Sequence, residues 1–362
     1  MSDLQKELGV VRDEIDSIDG QLLELLNKRA RCAQKVGEIK AKHGEAGFIY
    51  RPEREAQVLR RIQDINPGPL SNENVTWLFR EVMSTCLSLE QPLSVAFLGP
   101  LGSFTGSAAT KHFGHAARLL PQTSIDDVFR EVEAGHAHYA VVPVENSTEG
   151  AVGRSMDLLF ATPLKVCGEV VLRIHQNLMT REASLDKVTK VYSHAQSLAQ
   201  CHEWLNRNLP NVPRISVGSN SQAAEMAMQE EGAAAIAGEA AAERFNVPIL
   251  VANIEDEPNN TTRFLVLGRH DAGVSGRDKT SLIMSAPNRT GSLHGLLLPL
   301  AEAGVSMTRL ESRPARHTLW DYVFFVDIDG HQDEPKVAKA LAELKQQAAY
   351  LKVLGSYPSA VY

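Results

Sequence analysis

Two sets of residues in this chain have types and spacings suited to chemistry on small anions. The first is cationic. Arg29 falls on the apolar seam of a helical pattern, in register with Ile15 and Leu22, and Lys40 returns to that face about three turns later. Unpaired charge on a buried face is costly, so two such cations call for an anion. Arg12 lies roughly 100° round the helix and about 25 Å from Arg29, too far to share its pocket within one chain. The second set is a series of glycine- or Asn/Ser-rich turns, GPLGSFTGSAA (99–109), ENSTEGAV (145–152) and GSNSQAAE (218–225). Each follows an apolar run and leads towards a helix, where free N–H groups and the positive dipole end favour anions. No GxGxxG follows Leu98 and no Walker lysine is present, which disfavours a nucleotide.

The elements that must position these residues fall into three stretches, expected at 1–91, 92–270 and 271–362. In the first, apolar residues recur at Ile15, Ile18, Leu22, Leu25, Leu26, Val36 and Ile39, predicting one helix from Asp3 to Lys42. A helix of about 40 residues is about 60 Å long, longer than a domain of this size is wide. It needs a partner, and a homodimer, or a larger assembly built on it, is the simplest source. A turn over His43–Ile49, a helix from Pro52 to Ile65 and a third from Ser71 to Glu90 complete an all-α unit.

From Leu93 strand and helix patterns alternate: LSVAFLG, YAVVPVE, KVCGEVVLRI, KVTKVYSH, RISVGS, AAAIAG and TTRFLVLG predict an α/β domain with a mostly parallel sheet and two lobes around a cleft. A polar linker, Arg269 to Lys279, precedes a βαββαβ order, the ferredoxin-like α+β plan. A chain stopped near Arg269 is therefore expected to keep a working α/β domain.

The bulk composition fits a metabolic protein. The chain has 362 residues, 43% apolar and 22% charged, with a net charge of −7 that argues against nucleic acid. Cys32, Cys86, Cys167 and Cys201 are scattered without metal-ligand spacing, so no metal or cofactor is expected. There is no 18-residue apolar run, and the start MSDLQKELGVVRDEID is polar and acidic, so a cytoplasmic location without a membrane span is expected.

VRDEIDSIDGQLLELLNKRARCAQKVGEIK and RPEREAQVLRRI resemble the all-helical class of chorismate mutase over residues 3–91. The resemblance implies an intertwined homodimer and substrate contacts at Arg12 (across the dimer), Arg29, Lys40, Arg51, Arg54, Glu55, Cys86 and Glu90. Arg51 stands where some members carry an acid, and Cys86 and Glu90 where Ser and Gln are common. A Glu donates a hydrogen bond only when protonated. Arg12, Arg29 and Arg54 would hold two carboxylates, Lys40 would donate to the breaking ether oxygen, and Glu55 would accept from the ring hydroxyl.

GPLGSFTGSAA, VPVENSTEGAV, SHAQSLAQC, SNSQAA and NNTTRFLVLG resemble prephenate dehydratase over 94–268, in family order. This implies two lobes like a periplasmic binding protein with prephenate between them. Thr262 would sit at the reacting centre with Arg263 and Phe264 beside it. Ser103, Thr105, Glu145, Asn146, Ser147, His194 and Gln196 would bind and orient the substrate. APNRTGSLHGLLLPLAEAG and ESRP resemble the ACT regulatory domain. They imply phenylalanine binding at a dimer interface by Gly291, Ser292, Leu293 and His294 on one wall and Glu311, Ser312, Arg313 and Pro314 on the other. The three together look like the bifunctional chorismate mutase/prephenate dehydratase. A non-enzymatic aromatic-ligand sensor would need neither the Arg54-Glu55 helix nor Thr262. A dehydratase with a decayed mutase would not keep Arg12, Arg29, Lys40, Arg54 and Glu55.

Overall fold

A computed structural model describes residues 3–43, 50–286, 289–314 and 322–361. All but the first residue of the turn expected over His43–Ile49 lies outside them. No described helix is long and apolar enough to cross a membrane.

Three helices open the chain: α1 (Asp3–Lys42), α2 (Pro52–Ile65) and α3 (Asn72–Ser88). Pro52 occupies the first turn of α2, where its missing N–H costs nothing. Ser71 caps α3 by accepting from the Asn74 amide. α2 and α3 pack together and are joined by Gln63 Nε2, which donates to Thr76 Oγ1 at 2.9 Å; Ala56, Leu59 and Val75 are buried. α1 buries no residue, and Ile15, Leu22 and Leu25 on its seam are 50%, 50% and 61% exposed. A Cβ on Gly37 would sit 2.7 Å from Glu90 Cγ, so glycine lets Glu90 lie against α1.

The next domain starts with β1 (Ser94–Leu98), α4 (Phe104–Phe113), β2 (Arg118–Gln122), α5 (Ile125–Glu133), β3 (Tyr139–Asn146), β4 (Gly150–Ala151), α6 (Gly153–Ala161) and β5 (Lys165–Arg173). The chain then crosses through Ile174–Gln176 into a second lobe. That lobe holds β6 (Asn177–Thr180), β7 (Lys190–Ser193), α7 (Ala195–Gln200), α8 (His202–Asn208), β8 (Arg214–Ser216), α9 (Asn220–Gln229), β9 (Ala233–Ala237), α10 (Glu239–Phe245) and β10 (Ile249–Val251). It returns on β11 (Thr261–Gly268), which inserts between β3 and β5 and runs antiparallel to both. The sheets, ordered β2-β1-β3-β11-β5 and β10-β6-β9-β7-β8, are therefore mixed rather than mostly parallel.

The last domain is β12 (Asp278–Ser285), α11 (Ser292–Glu302), β13 (Met307–Pro314), β14 (Tyr322–Asp329), α12 (Pro335–Gln347) and β15 (Tyr350–Pro358), with sheet order β13-β14-β12-β15. Strand alternation splits its apolar residues between two faces. Leu282, Met284, Val326 and Ile328 pack under α11 and α12. Ile283, Phe325 and Tyr357 join Val142, Val166 and Leu265 of the first lobe in one core. A Cβ on Gly355 would lie 2.2 Å from the Val166 carbonyl oxygen, so β15 crosses β5 backbone to backbone. Stopping at Arg269 would bare this shared face, contrary to the detachable domain the polar linker suggests. Arg60 of α2 ties the first domain to the last, donating to the carbonyls of Ser275, Arg277 and Ser359.

Candidate active sites

The helical domain holds a cavity of about 410 Å³. Arg29 and Lys40 reach it from α1, Arg51, Arg54 and Glu55 from the start of α2, and Cys86 and Glu90 from the end of α3. Lys40 Nζ lies 3.6 Å from Glu90 Oε1. Four cations face two carboxylates, a surplus suited to a dianion. Arg12 is exposed on α1 and does not line this cavity. One residue the sequence reading passes over enters here: Arg80 of α3, whose Nε is 3.4 Å from Glu55 Oε1. Burial pushes the Glu55 carboxyl above its ordinary value, and the Arg80 charge pulls it back. Arg80 also donates to the Val361 carbonyl. Its signal was available, since it is the only cation in α3.

The cleft between the lobes has a volume of about 340 Å³. Ser103, Thr105, Asn146, His194, Gln196, Thr262 and Phe264 line it, together with Gln176, Ser197, Gln200, Ser219 and Asn220. No Asp, Glu, Lys or Arg is among its lining residues. Helix starts take their place. Ser103 caps α4, His194 caps α7, Ser219 caps α9 and Gly238 precedes α10, and all four residues border the cleft. Their free amides and dipoles suit carboxylates without a formal charge. His194 Nδ1 accepts from the Gln196 amide, which leaves the proton of the neutral ring on Nε2.

Antiparallel pairing sets Asn146 of β3 directly opposite Thr262 of β11. Asn146 Oδ1 accepts from the backbone amides of Thr148 and Glu149, so its orientation is fixed. Its Nδ2 must then donate, and it does so to Thr262 Oγ1 and Asn260 Oδ1, both at 2.8 Å. Thr262 is 9% exposed and Asn260 1%. Because Thr262 Oγ1 accepts from Asn146, its own proton points elsewhere.

Three expected cleft residues lie outside it. Arg263 and Glu145 are also paired across β3 and β11, but on the opposite face, as a period of two demands. Arg263 binds Glu169 at 3.0 Å, Asp327 and the Tyr357 hydroxyl, and this acidic cage raises its pKa despite burial. Glu145 lies 2.8 Å from Arg309. Both anchor the last domain to the first lobe. Ser147 is exposed beyond the end of β3, accepting from the Thr261 amide.

In the last domain a cavity of about 440 Å³ opens at the start of α11, lined by Gly291 and Ser292 with Arg289, Gly295 and Gln347 among its other walls. Gly291 has φ +78°, a left-handed cap that glycine adopts without strain. Leu293 and His294 follow on α11 without lining it. Glu311, Ser312, Arg313 and Pro314 form the end of β13, the outer strand, and do not reach this cavity within one chain. Arg313 turns to the first lobe, donating to the Gly153 carbonyl at 2.9 Å, with Asp157 at 3.6 Å.

Comparison with known proteins covers all three regions. Chorismate mutase type II matches residues 11–91, prephenate dehydratase 95–272 and the ACT domain 280–346. The bifunctional chorismate mutase/prephenate dehydratase of Neisseria gonorrhoeae is 55% identical over 97% of this chain and 96% of its own length. That of Pseudomonas aeruginosa is 51% identical over 99% of each. The crystal structure of prephenate dehydratase from Arthrobacter aurescens, in complex with L-Phe, is 33% identical over 74% of this chain and 90% of its own, with a TM-score of 0.67. A cationic helical pocket, a neutral two-lobed cleft and a ferredoxin-like partner thus occur in the order these relatives share, and the chain belongs to the bifunctional chorismate mutase/prephenate dehydratase family.

Proposed function

We propose that the helical pocket rearranges chorismate to prephenate and that the cleft converts prephenate to phenylpyruvate, each with the residues named above. In the pocket Arg29 and Arg54 hold the dicarboxylate, and Lys40 donates to the ether oxygen. Glu55, steadied by Arg80, accepts from the ring hydroxyl. The exposed apolar seam of α1 supports a homodimer in which Arg12 enters the partner's pocket.

In the cleft, helix starts hold the two carboxylates of prephenate. The ring carboxylate leaves as CO2 and its bonding pair enters the ring. The C4–O pair departs with the oxygen as hydroxide, which takes a proton from solvent to become water, and the ring becomes aromatic. Thr262 donates a hydrogen bond to the departing hydroxyl. The observation that carries this role is Asn146. Pinned by two backbone amides, it occupies the Thr262 oxygen as a donor and leaves the Thr262 proton for the substrate.

Phenylalanine is proposed as the effector. The start of α11 offers backbone amides to its carboxylate. The distance of β13 from that start supports a site completed by a second copy, with Glu311–Pro314 as its other wall. Feeding chorismate to the purified chain and following prephenate and phenylpyruvate, with and without phenylalanine, tests all three assignments. Prephenate that accumulates without phenylpyruvate would remove the cleft reading.

A further inference from the structure

Gln176 lies in the crossover from β5 to β6, at the hinge between the lobes, where no motif drew attention to it. It is 1% exposed and lines the cleft. Its amide orientation follows from its neighbours. The Glu149 carboxylate can only accept, and it takes Gln200 Nε2 at 3.1 Å. Gln200 Oε1 therefore accepts, from Asn260 Nδ2 at 3.0 Å and from Gln176 Nε2 at 3.1 Å. A second chain of bonds agrees. The His194 backbone amide fixes Asn220 Oδ1 as an acceptor, so Asn220 Nδ2 donates to Ser197 Oγ, which also accepts from Gln176 Nε2. The Gln176 nitrogen is thus committed twice. Its Oε1 is a buried acceptor without a partner among the described residues.

Buried unpaired acceptors are costly and rare, so one that borders a binding cleft marks a ligand contact. Prephenate carries two carboxylates, a ketone and one ring hydroxyl. That hydroxyl is its only hydrogen-bond donor. We propose that Gln176 Oε1 accepts from the ring hydroxyl of prephenate, holding the leaving oxygen so that its lone pairs face a donor and making Gln176 a residue that selects substrates bearing this group. The inference rests on the dehydratase reading of the cleft and adds a substrate contact to it. Thr262 and Gln176 then meet the same oxygen in complementary roles: one donates to it, and the other takes its proton in a hydrogen bond.

The test uses the full chain and compares prephenate with phenylpyruvate, the product, which has no ring hydroxyl. In Gln176→Met, kcat/KM for prephenate should fall about tenfold while the competitive inhibition constant of phenylpyruvate stays within about twofold, because one hydrogen bond is lost only with the substrate. Mutase activity in the same chain should not change. Equal losses for substrate and product in Gln176→Met, or no loss for prephenate, would overturn the proposal. A wild-type chain that fails to dehydrate prephenate would overturn the cleft reading itself, and that result is visible before any variant is made.

Discussion

The helical pocket and the two-lobed cleft face similar ligands with opposite means. Both are proposed to hold dianions of the same carbon skeleton. The pocket gathers Arg29, Lys40, Arg51 and Arg54 on three helices, one of which buries none of its residues. The cleft has no charged side chain on its lining and relies on helix starts and side-chain amides whose orientations are fixed by backbone groups. The difference follows the chemistry. A pericyclic rearrangement needs a folded substrate and charge near one ether oxygen, which long cationic side chains can supply. Loss of a hydroxide needs a donor aimed at one atom, and a rigid amide network aims better than a long charged side chain. The pocket is open to contribution from a second copy, whereas every residue assigned to the cleft comes from one chain.

The sharpest way to break this comparison is to disable each site alone. Arg29→Ala should cut mutase activity by about 10²–10³ and leave dehydration of supplied prephenate intact, and Thr262→Ala should do the reverse. If either variant, still folded, lost both activities, the two sites would not be separate. Asn146→Asp tests the direction of the network. An ionised Asp can only accept, so it would turn the Thr262 proton away from the substrate, and dehydratase kcat should fall by about 10² with mutase rates unchanged.

Mixing inactive variants sharpens the contrast in subunit make-up. Arg12→Ala and Arg29→Ala chains, unfolded and refolded together, should recover about a quarter of wild-type mutase activity, since half the dimers then hold one intact pocket of two. Thr262→Ala mixed with Asn146→Asp should recover no dehydratase activity. Recovery in the cleft, or none in the pocket, would reverse the assignment.

The smallest effect concerns the seam between the two sites. Tyr50 and His112 share a hydrogen bond of 3.1 Å there. Burial, helped by the Arg80 charge, pushes the His112 pKa down to about 3 from 6.5. The unfolded chain takes up this proton near 6.5 and the folded chain does not until about 3. Stability is thus whole above 6.5 and declines as pH falls from 6.5 towards 3. Melting temperatures of wild type and His112→Asn across that window should diverge in slope, the variant being flatter. Parallel curves would remove His112 as the source.

Much of this was legible in the sequence because it is local. The length of α1, the Pro52 start of α2 and the βαββαβ order depend on periodicity and caps within a few residues. The motifs SHAQ, ENST and TRF carried the cleft residues for the same reason. What failed was direction and partnership. The TRF resemblance implies Arg263 beside Thr262 at the reacting centre, although alternation along a strand sends neighbours to opposite faces. Gln176 lies in a connection without a pattern, and its meaning appears only when its amide bonds are traced. The polar stretch from Arg269 to Lys279 reads as a linker, yet Ile283 and Phe325 beyond it share a core with Val142 and Leu265. Such packing joins residues far apart in the chain and leaves no mark in any short window.

The bond from Arg60 to the Ser359 carbonyl spans 299 positions. During synthesis at about 5–20 residues per second, Arg60 is added to the chain roughly 15–60 s before Ser359. The helices can form in that interval, but α2 must keep a guanidinium waiting for a carbonyl not yet made. The first domain is thus joined by a carbonyl translated long after its own helices, and a ribosome that stalls before that point leaves its earliest product without this bond.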